Sequence, residues 1–84
     1  MLARRSAAAV DWADRALADA RRNGDQWLEA QASVERSSAL EHLVPRDESE
    51  RALLHARELA RQVGDSVLEC RALLELYRDL RVEH

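Results

Sequence analysis

Few side chains in this 84-residue chain are of types that do chemistry, and their spacing decides what each could do. His55 and Glu58 lie three residues apart, so on a helix both could face one metal ion. Such a pair is two ligands short of a site, and an exposed His beside an i+3 carboxylate is the ordinary surface arrangement. Cys70 is the single cysteine. It can form no internal disulfide and matches no CxxC or Cys/His metal spacing, so it reads as a small buried hydrophobe on a helix. Ser33, Ser37 and Ser38 read as small residues that let a neighbouring helix approach closely rather than as nucleophiles. His42 follows Glu41 near a helix C-terminus, where an imidazolium would complement the dipole. Arg4-Arg5 and Arg21-Arg22 are the adjacent basic pairs, with Asp11, Asp14 and Asp19 between or beside them, which argues against a phosphate-binding stripe. No catalytic, cofactor or metal site is expected from these residues, and no enzymatic activity.

Composition then limits the kind of element that could carry a function. Ala, Leu and Arg supply 41 of the 84 residues, while Lys, Phe and Ile are absent, a helix-forming mixture typical of a GC-rich genome. The net charge of −3 argues against a strongly basic nucleic-acid binder. With 46% apolar residues, two Gly and one Pro, the chain is expected to fold rather than serve as a linker. The apolar run Ala7 to Val10 falls short of the ~7 residues that a signal-peptide core needs. Nothing approaches the ~20 apolar residues of a membrane span, so a cytoplasmic setting with no membrane partner is expected. Residues 1–81 fit one small domain. Val82-Glu83-His84 reads equally as native sequence or as a cloning remnant before a histidine tag, and stands apart from the fold argument.

Sliding the chain against itself reveals an internal repeat at an offset of 40. Ala16, Ala20, Arg21, Gly24, Asp25, Leu28, Glu29, Ala32, Glu35 and Leu40 fall on identical residues 40 positions later. Alanine inflates such a match, but the block Gly-Asp-x-x-Leu-Glu recurs intact. Each unit, about 1–43 and 47–81, reads as helix, tight turn, helix.

In the second unit Leu53, Ala56, Ala60 and Val63 form one apolar stripe at helical spacing. Gly64 ends it by supplying a left-handed conformation at no steric cost, and Asp65 or Ser66 can cap the next helix. Beyond the turn, Val67, Cys70, Leu74 and Tyr77 make one seam, with Leu68, Ala72, Leu76 and Leu80 beside it. So wide an apolar arc should be well covered. In the first unit Val10, Ala13, Leu17 and Ala20 precede Gly24-Asp25, and Trp27 starts the following helix on its apolar seam, which places it between helices. Leu43 to Arg46 link the units, since Pro45 disfavours helix in the residue before it. Asp47 then opens the third helix with a capping side chain. The spacing predicts four helices over about 2–22, 25–42, 47–63 and 65–81, an all-α fold of two antiparallel hairpins stacked as a short solenoid.

This pattern resembles the tetratricopeptide class, and more closely its roughly 40-residue relatives with a Gly-Asp turn in bacterial signalling proteins and transcription activators. The matching residues are Ala16/Ala56, Ala20/Ala60, both Gly-Asp turns, Ala30/Cys70, Val34/Leu74 and Pro45. Leu17 or Arg57 stands where the class has a glycine, and Ser37 or Tyr77 where it has an alanine. The resemblance implies a protein–protein interaction or dimerisation module within a larger protein, of diguanylate cyclase or transcription activator type. Its partner would be another protein or its own output domain. It also implies a partner groove along the first and third helices: Asp11, Asp14, Ala18, Arg21, Arg22, Arg51, Leu54, Glu58, Arg61 and Gln62. Repeat units rarely stand alone in pairs, so apolar ends call for a cover, and a two-fold homodimer through Trp12, Leu73, Leu76, Tyr77 and Leu80 is expected. The alternative function is DNA binding: residues 58–74 resemble a helix-turn-helix core, with Ala60 four residues before the turn glycine. Asp65 stands where that motif carries an apolar residue.

Overall fold

The computed structural model describes residues 2–82, with side chains described from Arg5 to Arg78. The chain is all-α: α1 (Leu2–Asn23), α2 (Gln26–Leu40), α3 (Arg46–Gln62) and α4 (Ser66–Val82). Among the described residues there is no strand. Consecutive helices pack on one another, and α2 also touches α4, while α1 and α3 do not meet. The helices therefore converge on the α2/α4 side and open on the α1/α3 side.

The two short turns are built alike, residue for residue. Gly24 and Gly64 take φ of 66° and 74°, the left-handed region. The next amides, of Asp25 and Asp65, reach back to the carbonyls of Ala20 and Ala60 at 2.8 and 3.0 Å, closing each preceding helix. The aspartate side chains then cap the following helices, Asp25 accepting from the Leu28 amide at 3.0 Å and Asp65 from the Leu68 amide at 3.1 Å. The entry to α3 differs from the expectation. Its cap is Pro45, which offers no side-chain hydrogen bond, and Asp47 lies inside the first turn, where its charge suits the dipole. The Glu48 and Ser49 amides instead reach the Pro45 carbonyl at 3.1 Å each.

Alanine dominates the core. Ala30 and Val34 of α2, Ala56 and Ala60 of α3, and Leu68 and Ala72 of α4 form one buried cluster, with Leu59 and Val63 against it. Side chains this small let helices approach closely but contribute little area, so the few large buried ones carry much of the hydrophobic stabilisation. Leu53 and Val34 are the largest apolar side chains with no exposure at all. Arginine pairs tie the helices across their interfaces. Arg36 Nε donates to Asp14 at 2.7 Å and Arg21 pairs with Glu29 at 3.3 Å between α1 and α2. Arg57 faces Glu69 at 3.6 Å between α3 and α4, and Arg71 bonds Glu35 between α4 and α2. That bond with Glu35, with Glu75 nearby, holds the Arg71 guanidinium in its charged form more firmly than usual. Such partly exposed pairs are worth little individually; they fix which faces meet.

Candidate functional site

Among the described residues, two surfaces and one junction bring functional side chains together. One is an open apolar trough of about 730 Å³ between α3 and α4, lined by Glu50 and Leu54 on one side and Cys70, Leu73, Leu74, Leu76 and Tyr77 on the other. Its origin lies in the way α4 is rotated. Leu68 and Ala72 turn inward, so Val67, Cys70, Leu74 and Tyr77 turn out; Val67 is 77% and Leu74 67% exposed. The seam expected to be covered is open, and Cys70 is exposed rather than buried. Of the expected self-association residues, Leu73, Leu76 and Tyr77 line the trough. Trp12 is 51% exposed on α1, and the Leu80 side chain lies outside the described residues.

The second surface is a polar cleft of about 290 Å³ where α1 and α3 diverge, lined by Asp14, Leu17, Arg21, Ser33, Arg36, Ser37, Ala52 and His55. Of the residues expected in a groove, it gathers Asp14 and Arg21. Leu54 lies in the apolar trough instead, because α3 presents it to α4 rather than to α1. Asp11 pairs with Arg15 at 3.2 Å, Arg22 with Asp19, and Arg51 with Asp47 at 3.7 Å. Ala18, Glu58, Arg61 and Gln62 are exposed. The cleft does bring His55 near Ser33 and Ser37, which no single helix does. Their chemistry is already committed, however: Ser37 Oγ donates to the Ser33 carbonyl at 2.8 Å, and Arg36 holds the Asp14 carboxylate. The groups are arranged for packing and charge pairing rather than for a proton relay from serine to histidine to carboxylate. Among the described residues no group of three or more His, Cys, Asp or Glu is placed to hold a metal ion.

The junction is a link that sequence reasoning missed. Trp27 is 49% exposed, and its indole Nε1 donates to Asp65 Oδ2 at 2.7 Å, fastening the start of α2 to the turn before α4. Position 27 begins its helix, beyond the end of the packed interface, so the ring lies on the rim rather than between helices. Asp65 thus accepts from the Leu68 amide, from Trp27 and from the Val67 amide, in that order of effect, and its carboxyl is held below the usual range. A lowered folded value means that this stabilisation is complete above the unfolded carboxyl's value near pH 4 and is lost as pH falls through the folded one. The advantage of the wild type over Asp65→Asn in thermal melts should therefore shrink below about pH 4. A constant gap from neutral pH to about pH 2 would show that the carboxylate form is not what the turn uses.

Comparison of the chain with protein-family models, curated proteins and solved structures gives no match.

Proposed function

We propose that this chain is a protein–protein interaction module, one that docks a protein on the outward face of α4. The carrying observation is a contrast between equivalent faces 40 residues apart. Ala30, Ser33, Val34 and Ser37 of α2 are all buried, and α2 packs on α1, α3 and α4. Their counterparts Cys70, Leu73, Leu74 and Tyr77 are larger, more apolar and exposed. A likewise equivalent pair, Asp14 with Arg36, is an ion pair in the first unit and becomes Leu54 with Leu76 beside the trough. Contiguous apolar surface of this kind marks an interaction site when it lies on a folded monomer.

The tetratricopeptide-like resemblance supports the same reading and adds its setting, a regulatory or dimerisation segment of a larger cytoplasmic signalling protein. Nothing in the polar cleft favours catalysis over recognition. Among the described residues no helix is long and apolar enough to cross a membrane. The DNA-binding alternative is disfavoured by Asp65, whose carboxylate serves the turn and Trp27, and by the same turn recurring at Asp25.

A photo-crosslinking side chain placed at Tyr77 and, separately, at Ala18 tests the reading in the chain's native cells. Illumination is expected to give a discrete protein adduct from position 77 and none from position 18. Adducts from α1 alone, or from neither site, would contradict docking on α4.

A further inference from the structure

We infer that the protein seated on α4 is a second copy of this chain, joined by the two α4 helices running antiparallel about a two-fold axis near residue 72. This inference rests on the docking role proposed above and identifies the partner. Two observations carry it. The outward residues Val67, Cys70, Leu74 and Tyr77 follow the 3-4-3 spacing of a coiled-coil seam, a pattern made to receive another helix. That spacing is symmetric about position 72, so an antiparallel copy sets Cys70 against Leu74 of its mate and Val67 against Tyr77, small against large at each level. A closed two-fold interface requires such self-complementarity, because one patch must fit itself.

The second observation is charge. The chain carries −3 overall, yet the seam holds no acidic group, and Glu50 lies at its margin. Association is thus apolar and resisted only by long-range repulsion, so added salt should leave it intact or strengthen it. A helix packed as α3 packs on α2 is a poorer fit, since small residues permit that approach and Leu73 and Tyr77 replace Ser33 and Ser37 here.

Sedimentation of the wild type, Cys70→Glu, Leu74→Arg and an equimolar mixture of the two variants tests the inference. Both substituted side chains are exposed, so each variant should fold as the wild type does by circular dichroism. The wild type is expected at about twice 9.6 kDa, and each variant alone should dimerise roughly tenfold or more weakly. Mixing should restore the dimer, because the antiparallel register sets the new acid against the new base and leaves the other Cys70–Leu74 contact native. A monomeric wild type would overturn the inference while leaving an adduct from position 77 to identify a different partner. Variants that still dimerise, a mixture that stays monomeric, or open-ended growth abolished by Trp12→Ala would each overturn it too.

Discussion

Leu53→Ala is expected to destabilise the fold by roughly 2 to 5 kcal/mol, a drop of roughly 10 °C or more in thermal midpoint for a domain this small. Leu53 has no exposed surface, and it is the largest apolar side chain fully enclosed in a core otherwise made mostly of alanine. Deleting its methyl groups leaves a cavity, because the surrounding structure relaxes only partly to fill it. Leu54, the next residue, lies in the open trough and is 51% exposed. Leu54→Ala should cost under about 1 kcal/mol, measured on dilute protein. Thermal melts of both variants check the contrast, and comparable losses would mean that α3 is rotated differently.

That contrast shows where the sequence was sufficient. The stripe Leu53, Ala56, Ala60 and Val63 has a clear helical period, so the buried face of α3 was legible, as were the four helices to within a few residues and both Gly-Asp turns. Helix α4 was less so. It is apolar over most of its circumference, and periodicity finds two seams there without saying which one faces inward. The choice is made by where α2 and α3 lie, which is a tertiary fact. Cys70 was misplaced for this reason. Trp27 was misplaced because a large aromatic residue at a seam position suggests burial, while its actual partner, Asp65, is 38 residues away. The cleft joining Asp14, Ser37 and His55 likewise needs the α1/α3 opening, which no local pattern encodes.

Gly64→Val should cost roughly 1 to 2 kcal/mol, since an L residue held at φ near +74° brings Cβ too close to its own backbone. A β carbon there would meet no other atom within 4 Å, so the penalty is conformational and not a clash with neighbours. Gly64→Asn should therefore recover most of the loss, because asparagine tolerates the left-handed region far better than valine. Denaturant melts of the two variants separate these causes. Equal destabilisation by both would contradict the conformational account.

The rotation of α4 underlies the docking face, the trough and the partner assigned to them, and Cys70 reports on it directly. In dilute native protein its thiol should react with a maleimide at nearly the rate found in the denatured chain, because it lies on the outward seam. Reaction slowed roughly a thousandfold or more, proceeding only as the fold opens, would place Cys70 in the core and contradict the account.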